Sequence, residues 1–226
     1  MNYVYNGISL QNKRQSNMDS LLLKCREDKG RTALLAVICD GVGSLADGSV
    51  ASGMAVKLLN EWFNSIALDD DHIGLRMRNE ALKINAKIVL RAEKEGLNTA
   101  TTLTALMVAE GNYFIVHAGD TRVYCCEEGK LTVLTKDDIS DSGKLTECIG
   151  YGTDLFLQYY EGSARGKVFL VCSDGLYKRA DTGALLLKIA SWNKKPQAEP
   201  IEALARHVIE CGEQDNITAA LIRVES

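Results

Sequence analysis

The stretches LLAVICDG (residues 34–41) and VFLVCSDG (residues 168–175) decide the fold, because each is an aliphatic run that delivers an aspartate to a glycine turn. A third run, FIVHAGD, ends at Asp120, and in EQDNITAALI the carboxylate of Asp215 opens the last apolar run. Carboxylates at strand ends, beside Gly or Asn residues that permit tight backbone geometry, are what a hard divalent cation needs. The pattern therefore predicts a metal-dependent enzyme.

The composition is that of one globular domain. The chain has 226 residues, of which 46% are hydrophobic and 25% charged, and its two prolines mark no linker. A net charge of −4 gives no sign of the basic surface that binding to nucleic acid or an anionic membrane would need. The first residues lack the basic and apolar regions of a signal peptide, and no apolar run approaches transmembrane length. We therefore expect a single cytoplasmic domain spanning residues 1–226.

Hydrophobic periodicity separates strands from helices along the chain. The period-2 and continuous apolar runs predict strands at 3–10, 20–25, 32–39, 101–108, 113–117, 121–126, 130–134, 156–160, 168–172 and 217–224. Apolar residues at helical spacing predict helices at 50–66, 73–92, 181–189 and 201–211. The strands between residues 101 and 134 are expected to form an antiparallel meander. Clustered strands with separate helix pairs favour an α+β fold, with two stacked sheets flanked by helices.

Seven phrases in one order carry a family resemblance. They are RQSNMDS (14–20), DGVG (40–43), TTLTA (101–105), GDTR (119–122), LTKD (134–137), CSDGL (172–176) and DNIT (215–218). Together they resemble the type 2C protein phosphatases, the metal-dependent Ser/Thr phosphatase family, in a compact bacterial form. The resemblance implies a four-layer α-β-β-α sandwich with mostly antiparallel sheets. It also implies a phosphorylated protein as substrate, whose phosphate a Ser/Thr kinase would have added.

The resemblance assigns a role to each candidate site residue. Two Mn²⁺ or Mg²⁺ ions would share Asp40, with Asp174 and Asp215 completing the first site and the Gly41 carbonyl serving the second. Asp19 would hold waters of the second ion, and Asp120 with Asp174 a weaker third ion. Arg14 would grip the phosphate. These assignments agree with general chemistry, since oxygen-only ligation suits Mg²⁺ or Mn²⁺ and an arginine fork matches phosphate.

Several of these residues also have an ordinary structural interpretation. Asp120 is a candidate turn cap, Arg14 a candidate surface arginine, and His117 an interior histidine rather than a ligand. The cysteines lack disulfide or zinc spacing, and those in apolar runs are expected to pack as small hydrophobes.

The chain departs from the family pattern at three places. Met18 stands where Glu or Gln is common, and Val42 where animal members carry a histidine. Only nine residues, 136–144, precede the phrase LTECIG (145–150), where many members have a mobile flap of some thirty residues. The segment near 136–150 is therefore expected to be a shortened flap.

Two other functions remain open from the sequence alone. One is a catalytically weak or dead relative that binds phosphoproteins as a regulator, although every expected aspartate is present. The other is a haloacid-dehalogenase-type phosphatase, suggested by DDDHI (69–73), but that motif needs a buried strand before it. The acidic run is better explained as the start of the helix near Ile73.

Overall fold

The computed structural model describes residues 2–179, 181, 185, 189 and 199–225. The strands are β1 (Tyr3–Leu10), β2 (Asp19–Asp28), β3 (Arg31–Asp40), β4 (Leu103–Ala109), β5 (Asn112–Ala118), β6 (Arg122–Glu127), β7 (Lys130–Val133), β8 (Gln158–Ser163), β9 (Val168–Cys172) and β10 (Ile217–Val224). The helices are α1 (Gly48–Ser65), α2 (Ile73–Glu95), α3 (Asp174–Tyr177) and α4 (Glu199–Glu210). The predicted helix at 181–189 lies largely outside the described residues.

The strands form two five-stranded sheets in which every pairing is antiparallel. The first sheet has the order β2-β3-β4-β5-β8 and the second the order β1-β10-β9-β6-β7. Their facing sides share a buried core that includes Leu34 and Ile38 from the first sheet and Phe169 and Val171 from the second. The two sheets are therefore stacked, as the sequence predicts.

The aliphatic run in β3 is continuous because the strand is covered on both faces. Successive side chains of a strand point to opposite faces. Leu34, Ala36 and Ile38 enter the core between the sheets, whereas Leu35 and Val37 pack beneath α1 and α2. Helix α4 packs on the outer face of the second sheet, against residues of β9 and β10. The result is the predicted α+β, four-layer α-β-β-α arrangement.

The predicted antiparallel meander between residues 101 and 134 is confirmed for its two hairpins, β4-β5 and β6-β7, but is wrong at the connection between them. Strands β5 and β6 do not pair: β5 lies beside β8 in the first sheet, and β6 lies between β9 and β7 in the second. Gly119, with φ of +112°, turns the backbone where a hairpin would need to begin. Residues 119–121 thus cross from one sheet to the other, and Asp120 lies on the crossover.

Two local features test alternatives raised by the sequence: the surroundings of His117 and the element that precedes the acidic run at 69–73. His117 is fully buried, with Nδ1 2.8 Å from the Thr104 hydroxyl and Nε2 3.1 Å from the Lys136 carbonyl oxygen, so it is an interior histidine. Asp70 accepts the backbone N–H of His72 through its side chain, 2.9 Å away, in the turn that enters α2. Helix α1, not a strand, precedes this acidic run, which removes the structural context of a dehalogenase-type nucleophile.

The cysteines are all free thiols. Cys39, Cys125, Cys126 and Cys172 are buried, as expected of small hydrophobes.

Within the described ranges, no helix combines the length and apolar character needed to cross a bilayer.

Candidate active site

Asp19 and Asp40 come from neighbouring strands at one end of the first sheet. They face each other in the register of β2 and β3. The Thr101-Thr102 pair holds the backbone of Asp40: the Thr101 hydroxyl and the Thr102 N–H both donate to its carbonyl oxygen, at 2.8 and 2.9 Å. The Asp40 N–H in turn donates to the Thr102 hydroxyl at 2.9 Å. The position of the central carboxylate is therefore fixed through its main chain.

Asp174 and Asp215 come from the second sheet. Asp174 begins α3 directly after β9, and Asp215 lies just before β10. The two segments touch at Gly175, where a Cβ atom would lie only 2.0 Å from the carbonyl oxygen of Asn216. This close approach requires glycine after Asp174 and brings the two carboxylates to the same end of the sandwich.

Hydrogen bonds made by side chains join the two sheets at this end. The Ser173 hydroxyl donates to Oδ2 of Asp19 at 2.9 Å. Asn216 accepts the N–H of Met18 at 2.9 Å and donates to the carbonyl oxygens of Gln11 and Ser16. The loop that carries Arg14 is thereby attached to the segment that carries Asp215.

The crossover residue Asp120 is held from the side of α3. The Tyr177 hydroxyl donates to the Asp120 carbonyl oxygen at 2.9 Å. The Arg122 guanidinium lies 3.8 Å from the centre of the Tyr177 ring and forms a bidentate pair with Asp137. The phrases GDTR and LTKD therefore form one structural unit that supports Asp120.

The gathered carboxylates raise one another's proton affinity. Burial, followed by the charges of Asp19, Asp174, Asp120 and Asp215, raises the pKa of Asp40 well above its usual range. Burial and the charge of Asp174 raise the pKa of Asp120 to about 6. Burial is also the main cause that raises the pKa of Asp19 to about 6. Such mutual repulsion is a cost that a bound cation removes.

Two side-chain cations partly offset this negative charge. Arg14 donates from Nε and Nη2 to the two carboxylate oxygens of Asp215, at 2.8 and 2.5 Å. Burial opposes ionisation of Asp215, but these bonds hold its pKa below the usual value. The Lys178 ammonium donates to Oδ2 of Asp174.

The oxygen atoms present fit hard divalent cations. Oδ1 of Asp19 is buried and has no hydrogen-bond partner, so it is available to accept a hydrogen bond, as from a water of an ion's hydration shell. In the described part of the chain no three Asp, Glu, His or Cys side chains converge on a single point as a complete ligand set. Mg²⁺ does not need one, because it keeps several waters and is usually held by one or two carboxylates.

These groups line an open cleft of about 1280 Å³. Its walls include Arg14 and Met18 and, from the 136–150 segment, Lys144, Leu145 and Cys148. Isolated antiparallel β-bridges, Ile139 with Leu145 and Thr101 with Ile149, anchor the 136–150 segment. The cleft exceeds the usual volume of a small-molecule site.

The structure brings the candidate residues together at one cleft: Arg14, Asp40, Gly41, Asp120, Asp174 and Asp215 all line it. Asp19 lies behind Asp40, buried and hydrogen bonded to Ser173. Sequence reasoning missed Lys178, although its position four residues after Asp174 was a usable signal. It also missed the supporting roles of Thr102, Ser173 and Asn216, which lie inside the recognised phrases.

Comparison with known proteins agrees with this arrangement. The chain is 29% identical over 242 residues to the serine/threonine protein phosphatase PstP of Mycobacterium tuberculosis, covering 93% of this chain and 43% of the relative. It is 29% identical over 215 residues to the serine/threonine phosphatase Stp of Listeria welshimeri, covering 83% of each chain. The chain thus spans less than half the length of the first relative.

A solved structure of the PstP catalytic domain in complex with two manganese ions superposes with a TM-score of 0.81 at 27% identity, covering 99% of both chains. The family model for protein phosphatase 2C matches residues 6–222. That match covers nearly the whole sandwich and every candidate site residue, so the chain belongs to the protein phosphatase 2C family.

Proposed function

We propose that this protein is a metal-dependent phosphatase that removes phosphate from phosphoserine and phosphothreonine in proteins. The observation that carries the proposal is the meeting of Asp40, Asp120, Asp174 and Asp215, drawn from both sheets, at a cleft that also contains Arg14, with Asp19 buried beside Asp40. The volume of this cleft exceeds that of a usual small-molecule site, which is consistent with a protein substrate. Membership of a family whose relatives are named serine/threonine phosphatases supports the same reaction.

We propose the metal ligands that the family resemblance implies, and the carboxylates' positions support this choice. Asp40 is central, because the charges of the other four carboxylates all act on it. Asp174 and Asp215 would complete one Mn²⁺ or Mg²⁺ site, and the Gly41 carbonyl would serve the second. Asp19 would accept from water of the second ion through its free Oδ1. When bound, the two ions supply an activated water for in-line attack on phosphorus and neutralise charge as the ester bond breaks.

The chain's own groups bind and orient the substrate. Arg14 is 56% exposed and its fork faces the cleft, where it can exchange one carboxylate partner for phosphate oxygens. The main-chain bonds from Thr101 and Thr102 keep Asp40 from moving when charge is redistributed in the transition state. Val42 lines the cleft beside Gly41, so a histidine acid is absent from that position.

Substrate choice would depend on the shortened flap and the cleft walls. The 136–150 segment contributes Lys144, Leu145 and Cys148 to the cleft, a much smaller surface than a thirty-residue flap. We therefore propose an open site in a single domain, acting on cytoplasmic phosphoproteins that a Ser/Thr kinase modifies.

Hydrolysis of p-nitrophenyl phosphate tests the proposal. Turnover should require Mn²⁺ or Mg²⁺ and should be abolished by Asp40→Asn and by Asp174→Asn, because each removes an ion ligand. Asp69→Asn, in an exposed ion pair with Lys29, serves as the control and should retain activity. Full activity in excess chelator would refute the proposal. Tight binding of phosphopeptides without turnover would instead support a regulator that has lost catalysis.

A further inference from the structure

Lys178 is a cation built into the carboxylate cluster. It follows the last residue of α3, one helical turn after Asp174, and its ammonium forms an ion pair with Oδ2 of Asp174. The Asp174 side chain is only 13% exposed, whereas that of Lys178 is 56% exposed. The lysine therefore reaches from an exposed position to a carboxylate that is shielded from solvent.

The charge of Lys178 acts on more than its direct partner. Burial opposes that charge, but Asp174, Asp120 and Asp40 together raise the pKa of Lys178 above its usual range. The Tyr177 hydroxyl, one residue earlier, donates to the Asp120 backbone, which fixes Asp120 relative to α3. The ammonium is thus paired with Asp174 one residue beyond the contact that joins α3 to Asp120.

An ordinary surface pair on a helix lacks these neighbours. Lys83 and Glu80 form a comparable pair on α2, with N and O atoms 3.2 Å apart and a glutamate that is 14% exposed. Glu80 is not among the residues that line the cleft. Lys83 therefore offers a matched comparison, since a similar local ion pair lies outside the carboxylate cluster.

We propose that Lys178 is an internal counter-ion that takes the place of a third divalent cation between Asp120 and Asp174. A third ion could bind there only by displacing the ammonium, so this protein works with two ions. The inference rests on the proposed function, because it presumes that the remaining carboxylates hold the other two ions.

Titration of the metal-free protein with Mn²⁺, followed by calorimetry and by the electron paramagnetic resonance signal of free Mn²⁺, tests this inference without measuring activity. The wild type should bind two ions. Lys178→Met keeps an apolar stem but removes the charge. This variant should bind a third ion, with an affinity at least about tenfold higher than any third binding event in the wild type. Lys83→Met should bind like the wild type.

A second variant and a structural readout complete the test. Lys178→Gln should behave like Lys178→Met, and it provides the measurement if the methionine variant folds poorly. Anomalous scattering from Mn²⁺-soaked crystals of either variant should show the added ion between Asp120 and Asp174. If the wild type binds two ions and both variants bind the same two, the role of Lys178 is refuted while the proposed function stands. Three equally tight ions in the wild type would refute that role as well. No Mn²⁺ binding by the wild type would refute the proposed function as well.

Discussion

Replacing Asp19 by asparagine should stabilise the metal-free protein at neutral pH. Burial and the charge of Asp174 raise the pKa of Asp19 to about 6 from an ordinary 3.8. Because one pKa unit corresponds to about 1.4 kcal/mol, the ionised carboxylate costs the folded state about 3 kcal/mol above pH 7. The asparagine oxygen can still accept the hydrogen bond that Ser173 donates at 2.9 Å. The substitution should therefore remove the charge and preserve the contact.

The sign of the effect follows from the raised pKa in the folded state. Stability from protonated Asp19 is fully present below about pH 4 and is lost as the pH rises through about 6. The advantage of Asp19→Asn should consequently shrink from about 3 kcal/mol at pH 7.5 to about 0.5 kcal/mol at pH 4. With saturating Mn²⁺ the order should reverse, because the variant binds the ions less tightly.

Urea unfolding and thermal melts in EDTA measure this difference. In a domain of this length about 3 kcal/mol corresponds to a rise in Tm of roughly 6–12 °C. Asp69→Asn, whose carboxylate is 45% exposed, is the control and should change stability by less than about 0.5 kcal/mol. Equal stability of Asp19→Asn and wild type at pH 7.5, or a gain that persists unchanged at pH 4, would refute the electrostatic reasoning.

Three further predictions concern the reaction. Arg14→Ala should raise KM for p-nitrophenyl phosphate strongly, and Arg14→Lys should restore only part of the lost binding, since a point charge cannot reproduce the guanidinium fork. Unchanged kinetics in both variants would make Arg14 a surface residue. Val42 stands beside Gly41 where a histidine acid is absent, so the acidic limb of the pH–rate profile should depend on the metal and should move when Mg²⁺ is replaced by Mn²⁺. An identical limb with both metals would indicate a protein acid. Because the 136–150 segment is short, kcat/KM for a panel of phosphothreonine peptides should vary by only about tenfold, roughly 1.4 kcal/mol, and a thousandfold spread would contradict an open site.

The strands and the candidate site could be predicted from sequence because both depend on local patterns. The boundaries expected at 3–10, 168–172 and 217–224 coincide with β1, β9 and β10. The aliphatic runs must be strands covered on both faces, and the aspartates that end or open them must lie at the strand ends. The family resemblance then identified which of these carboxylates meet.

Sheet membership and the internal cations could not be predicted in the same way. Alternation along β5 and β6 shows which side chains are buried but not which strand lies alongside, so the crossover at Gly119 was mistaken for part of a meander. Lys178 resembles an ordinary i,i+4 partner until Asp120 is brought beside α3 by Tyr177. The hydrogen bonds of Asn216 to the Arg14 loop depend on the tertiary contact between β1 and β10.

The site straddles two layers, because Asp19 and Asp40 belong to the first sheet and Asp174 and Asp215 to the second. The separation between these halves is set by the thickness of the core between the sheets, where Ile38 faces the side chains of the opposite layer. Protein interiors are close-packed, and the loss of even one methylene is transmitted as strain or a void. The hydrocarbon interior therefore works as a spacer between the two pairs of carboxylates, so aliphatic residues that do not line the cleft set how far apart the pairs lie.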